Sequence, residues 1–430
     1  MKRRLIVFNK GVGMNRAAAG AAVLMTVALL GRSSYAQLGN TFTNWIEHPA
    51  IAYRSRPVAD PIAALNRDLR ADPLRLKYEG PSGYLRSTLD ALHVPIESQI
   101  ALFGQDSLQR ERISTLNPRA IFFNDAVSVA WVRGGFIEVA SQDPQQGVVF
   151  YVLDNVREDK PQFTRREDCL SCHYSFSTVG VPGMLDQGSG RMRVDHTTPL
   201  EQRWGGLYVT GQPSALRHSG NHVPTRTPQA TASATWPSLE GRFDTTGYLS
   251  TDSDIVALLA FDHQMRGMNL VARIGWEARV GEFQRQLAGS PSFHAPNVAA
   301  DAPIALDDAA RELVDYFLFV DEAAFTEPIR GSSGFAERFE AEGRPDRRGR
   351  SLRQLDLNTR LLRYPCSYLI YTDAFDALPP DAKNAIYQRM WRVLSGQEKD
   401  PRYRRLSDGD RRAITEILRD TKRDLPAYFE

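Results

Sequence analysis

The stretch Ala120–Asp154, AIFFNDAVSVAWVRGGFIEVASQDPQQGVVFYVLD, sets the fold class of this 430-residue chain. Ala120–Phe123, Ser128–Val132, Phe136–Ala140 and Val148–Leu153 are short apolar runs rich in β-branched and aromatic residues. Asn124-Asp125, Gly134-Gly135 and Asp143-Pro144 punctuate them. Period-two runs separated by turn residues predict a small antiparallel β-meander.

Upstream, the chain reads as helical and loop-rich. Ile62, Leu65 and Leu69 recur at helical spacing, and Pro73 ends that element. Leu74–Tyr78 alternates briefly, and Asn117-Pro118 marks a turn. Downstream, Trp204–Gly211 reads as one more strand with close backbone approach at its glycines. Residues 212–241 are rich in Pro, Ser, Thr and Gly and read as a linker or long surface loop. From Ser250 the character is helical. Thr251–Asp254 offers N-caps for a long helix reaching about Val280, and a second helix is expected over Asp307–Glu322. Glu327–Arg353 reads as loop. Helices are expected after Pro379-Pro380-Asp381 and after Ser407, whose spacing to Asp410 suits a capping box. The expected fold is α+β: the meander, then a mainly helical C-terminal half. The regions are 37–211, the 212–241 connection, and 242–430.

The meander feeds through Pro161–Asp168 into Cys169-Leu170-Ser171-Cys172-His173. Cys-x-x-Cys-His is the attachment signature of a c-type haem. Two thiols three residues apart project from one helical turn, so both can bond the vinyl edges of one porphyrin. The adjacent histidine reaches the iron from the same side. A zinc site would want a second ligand pair at similar spacing, and the only other cysteine is Cys366. Cys-x-x-Cys alone also supports redox or disulfide chemistry, but the directly following histidine favours haem. One covalent haem c per chain, held by Cys169, Cys172 and His173, is therefore the expected cofactor. Cys366 reads as a small buried hydrophobe.

The first 36 residues read as a signal peptide. Lys2, Arg3, Arg4, Lys10 and Arg16 precede an apolar run, Ala17–Leu30, too short for a comfortable membrane span. Ser34-Tyr35-Ala36 offers small residues for cleavage before Gln37. Removing this segment, with six basic residues and no acidic ones, takes the formal charge from +2 to −4. The basicity belongs to the signal, and nothing argues for nucleic acid. A periplasmic or otherwise exported chain without a transmembrane helix after cleavage is expected.

A single haem needs a sixth ligand or an open position. His48, His93 and His294 read as surface residues; His196, His218 and His222 lie in loops that could fold over the haem. His263 differs, because Ile255, Leu259, His263, Leu270 and Ile274 share one helical face. A histidine amid that stripe needs a partner. The partner is either the core's own polar groups or the iron, so His263 is carried as a candidate metal ligand beside His173. Met184 is eleven residues past His173, a span of about 36 Å fully extended. A core or surface role suits it, Met265 and Met268 better than ligation. Arg165, Arg166 and the Arg344–Arg353 cluster could pair with haem propionates or simply be solvated.

At the motif the chain resembles c-type cytochromes. More broadly it resembles a group of exported proteins classed with single-haem c-type cytochromes. Asn117–Asp125, Cys169–Gly183, His196–Pro199 with Trp204–Gly206, and Asp262-His263-Gln264 carry that likeness. The resemblance implies haem binding and electron transfer with a periplasmic or membrane-surface redox partner. Length, the meander and the lack of an obvious distal methionine set the chain apart from the compact all-helical cytochromes. Two other readings follow from the same motif. A haem enzyme could reduce peroxide or a nitrogen oxide at an open sixth site, with His196, His218 or His263 as acid–base. A gas sensor is disfavoured, since no output domain is recognisable.

Overall fold

The computed structural model describes residues 45–185, 194–222, 234–289 and 302–429. The expected signal peptide and His294 lie outside them.

The meander forms as β2 (Arg119–Phe123), β3 (Val127–Trp131), β4 (Ile137–Asp143) and β5 (Gly147–Leu153). Its turns follow from the punctuating residues. Asn124 Oδ1 accepts from the backbone N–H groups of Ala126 and Val127, and Asp143 Oδ1 does the same for Gln145 and Gln146. Gly134 supplies the positive φ of the β3–β4 turn, and Gly147 that of the turn Asp143 opens. The sheet is larger than the meander. Strands β1 (Ile100–Leu102), β6 (Thr164–Arg165) and β7 (Leu207–Tyr208) extend it to seven antiparallel strands in the order β6-β5-β4-β3-β2-β1-β7. The strand expected over Trp204–Gly211 is thus only two residues long. Leu74–Tyr78 forms no strand, because Pro73 opens a 3₁₀ turn instead.

Register divides the sheet into two faces. Phe122, Val129, Val139 and Tyr151 lie in line on one face and bury against α1 (Pro61–Ala71) and α2 (Leu85–Ala91) through Ile62, Leu65, Leu69, Leu85 and Leu89. Ile121, Ala130, Glu138 and Val152 line the other face. There Ile121 and Ala130 join the core of the helical half. With both faces covered, β3 and β5 are buried throughout, which explains their nearly unbroken apolar sequence.

After the short α3 (Leu170–His173) comes α4 (Ile255–Ala288), the longest helix among the described residues. Asp254 caps it, accepting from Val256 and Ala257 N–H, and also from Ser332 and Ser333 N–H. All five residues of the expected stripe are buried, and the burial goes further: α4 is buried on every side from Ile255 to Ala272. The polar residues of that stretch therefore all face protein. Around it pack α5 (Ala302–Phe317), α6 (Phe335–Ala341), α7 (Asp373–Asp376) and α8 (Pro380–Leu394), followed by α9 (Asp408–Thr421). Helix α5 ends five residues before the expected Glu322, where Phe319 and Asp321 take positive φ. Helix α6 occupies a stretch expected to be loop. The Ser407–Asp410 capping box opens α9 as expected. The described parts of 212–241 hold no helix or strand and are tied down: Asn221 brackets Val209 with two 2.8 Å hydrogen bonds. Residues 44–430 form one unit, and no helix of the described residues is long and apolar enough to cross a membrane.

Candidate functional site

Strand β6 delivers the chain from the sheet edge to α3, whose single turn carries the motif. Cys169 is half-buried, Cys172 is exposed, and both are free thiols. Burial, then the charges of Asp168 and Glu138, push the Cys169 thiol up to about 11. A redox-active or metal-binding cysteine needs the opposite shift. Among the described residues no group of three or more His, Cys, Asp or Glu side chains converges as a metal site.

His173 is oriented by a single bond. Its Nδ1 lies 2.9 Å from the Gly183 carbonyl oxygen. A carbonyl only accepts, so Nδ1 carries the hydrogen and the neutral ring keeps its lone pair on Nε2. Burial lowers the pKa of His173 while the Gly183 carbonyl favours the proton; burial prevails and the ring is neutral. Phe150 of β5 packs on the ring, 4.6 Å between centroids.

Gly183 is itself clamped. Its N–H donates to the His173 carbonyl at 3.0 Å, and a Cβ there would lie 2.2 Å from Asn269 Oδ1. Asn269 of α4 accepts from Met184 N–H at 2.9 Å and donates to the Met184 carbonyl at 2.8 Å. Pro182 is held by Val148 N–H of β5 at 2.9 Å. The loop that aims the histidine is thus gripped by the sheet and by the central helix. Asn269 escaped the sequence reading; its signal was a polar side chain within a helix that carries apolar residues on every face.

These features fit a c-type haem. Both thiols come from one turn, and the imidazole presents Nε2, with Nδ1–H tied to a backbone carbonyl as iron-ligating histidines require. The neighbouring sheet face also carries orphaned polar atoms. Arg119 Nε and Glu138 Oε2 are buried with no hydrogen-bond partner.

His263 is placed elsewhere. It is fully buried in α4, its Nδ1 2.9 Å from His196 Nδ1 and its Nε2 2.8 Å from Ser367 Oγ. The rings of Tyr316 and Phe319 stack on it at 5.1 and 4.4 Å. Burial pushes its pKa down to about 3. With both nitrogens engaged by protein, His263 sits as a core histidine, and no contact joins it to His173. For iron to bind His263, His196 or Ser367 would have to be displaced. His196 is equally buried and paired in the same cluster. His218 is fully buried, its Nε2 3.4 Å from Thr235 Oγ1, with its pKa lowered to about 4 by burial. His48 accepts from Ala50 N–H.

The four stretches that carry the wider resemblance meet on α4. Gln264 donates to the Asn124 carbonyl, Gly183 abuts Asn269, His263 meets His196, and Asp262 accepts from Trp204 Nε1 at 3.0 Å. Arg203, also buried, reaches Asp262 at 3.5 Å and donates to the carbonyls of Thr198 and His196. Met265 and Met268 are core residues. Most of the surveyed arginines have partners in protein: Arg166 with Asp168, Arg165 stacked on Tyr53, Arg347 with Asp420, Arg348 and Arg350 with Glu416, and Arg353 with Asp125.

Comparison with protein-family models, with curated proteins and with solved structures found no match for this chain.

Proposed function

We propose that this chain is an exported single-haem c-type cytochrome that transfers electrons in the periplasm, to or from a partner protein there or at the membrane surface. The observation that carries the reading is the His173 Nδ1 to Gly183 carbonyl bond, which leaves Nε2 directed as a ligand beside two thiols on the same turn. Cys169 and Cys172 would hold the group through thioethers and His173 would bind its iron. When bound, the haem supplies a one-electron couple between Fe(III) and Fe(II). The chain's own contribution is orientation and exclusion of water: Phe150 against the imidazole, Gly183 fixing its tautomer, Asn269 fixing Gly183 through Met184.

The test is haem staining after denaturing electrophoresis of protein expressed with a c-type haem attachment system. Wild type should stain, and Cys169→Ala/Cys172→Ala should not. Undiminished stain in the double variant would refute covalent attachment through this motif. The optical spectrum with and without CO then separates carrier from enzyme. Indifference to CO supports the carrier. A CO-binding, high-spin haem would favour reduction of peroxide or a nitrogen oxide at the sixth position.

A further inference from the structure

The sheet face that Phe150 shares with His173 also carries two opposite charges. Glu138 of β4 is opposite Val152 of β5, two positions along the register from the Ala140–Phe150 pair and so on the same face. Across β3, which contributes the small Ala130 at that position, Glu138 meets Arg119 of β2. Arg119 Nη2 lies 2.9 Å from Glu138 Oε2, and the side chains are only 15% and 14% exposed. The contact is one of charge without hydrogen-bond alignment, since Arg119 Nε and Glu138 Oε2 both lack a hydrogen-bond partner. A sheet would be more stable with apolar residues at two such positions. Buried polar atoms left unsatisfied in this way call for an explanation outside packing.

Both charges lie on the sheet face whose Phe150 packs against the His173 ring, 4.6 Å between centroids. At this degree of burial solvent and salt screen them poorly.

We infer that Arg119 and Glu138 are a pair of opposed charges that sets the reduction potential of the group bound at His173. The assignment rests on the haem reading above. Ferric haem carries one more positive charge than ferrous haem. Arg119 therefore favours the reduced form and raises the potential, whereas Glu138 favours the oxidised form and lowers it. Two charges of opposite sign hold the potential between limits that either alone would exceed.

The experiment is a spectroelectrochemical titration of purified haem-loaded wild type, Arg119→Gln, Glu138→Gln, the double variant and Arg119→Lys, with haem stain and a thermal melt on each. The midpoint should fall in Arg119→Gln, rise in Glu138→Gln, return toward wild type in the double variant, and stay near wild type in Arg119→Lys. Glu138→Gln is nearly isosteric, so its rise tests the idea even where an Arg119 variant fails to fold. Haem-loaded, folded Arg119→Gln and Glu138→Gln proteins with the wild-type midpoint would overturn it and leave a merely structural ion pair. Wild type without covalent haem would instead overturn the haem reading, an outcome the stain registers separately.

Discussion

His196 and His263 meet nitrogen to nitrogen, Nδ1 to Nδ1 at 2.9 Å, inside the helical half. Two neutral imidazoles can share that contact only if one Nδ1 carries the hydrogen and the other the lone pair. Ser367 Oγ, as donor or acceptor, matches whichever tautomer His263 adopts. Phe319, held at φ 53° in the left-handed region, stacks on both rings. Replacing His263 by Ala should leave Ser367 Oγ with only the Leu369 N–H and take the Nδ1 partner from His196, at about 1–3 kcal/mol. The denaturation midpoint should fall while the Soret band stays in place. A switch from low-spin to high-spin haem in this variant would instead restore His263 to the iron.

Acid should weaken the protein through the same residues. The folded pKa values of His263 and His218 are depressed by burial, to about 3 and about 4, below the ordinary histidine value. Between those values and about 6.5 the unfolded chain binds protons that the folded chain does not. Their contribution to stability is therefore complete above about 6.5 and is lost as pH falls toward 4. Glu322 acts in the opposite sense. Burial raises its pKa to about 7, so its contribution is lost as pH rises from about 4.5 through 7. The clean readout is a difference: melting temperature should fall less steeply from pH 7 to pH 4.5 in His218→Gln than in wild type. Parallel profiles would show that His218 is not buried in its neutral form.

Asp254 closes a joint between distant segments. One carboxylate caps α4 through Val256 and Ala257 and holds the 331–333 segment through Ser332 N–H, Ser333 N–H and Ser333 Oγ. Asp254→Ala should cost more than a simple cap, about 2 kcal/mol or above, because the donors it leaves are partly buried. Urea unfolding measures it; a loss under about 0.5 kcal/mol would mean that water replaces the carboxylate without difficulty.

Local rules made much of the fold legible. Turn residues at Asn124, Gly134 and Asp143 delimited the meander, and Ser407 with Asp410 marked the start of α9. What escaped were features decided by distant chain. Strands β1 and β7 are three and two residues long, too short for a period to show, and exist because β1 pairs with β2 and β7 with β1. Residues 335–341 became helix because Phe335 and Phe339 bury against the core. At the site, spacing alone picked out Cys169, Cys172 and His173. The His263 stripe pointed to a buried imidazole needing a partner. It could not name His196, since 67 residues separate them and only the fold of the intervening loop brings them together.

Asn269 offers the sharpest link between packing and the proposed chemistry. It touches neither thiol nor His173, yet its amide holds both backbone groups of Met184 and its Oδ1 occupies the space a Cβ on Gly183 would need. Gly183 in turn fixes the tautomer and direction of the His173 ring. Asn269→Ala should leave haem attachment intact, because Cys169 and Cys172 are untouched. Losing two hydrogen bonds to a partly buried loop should cost about 1–3 kcal/mol. With the carbonyl free to move, the Nδ1–H bond that makes the imidazole more basic should weaken, and a weaker donor to iron raises the reduction potential. Haem stain, urea unfolding and a potentiometric titration of the same preparation read the three effects. Full stain and reduced stability with an unchanged potential would show that Met184 and Gly183 hold their place without Asn269, and would confine its role to packing.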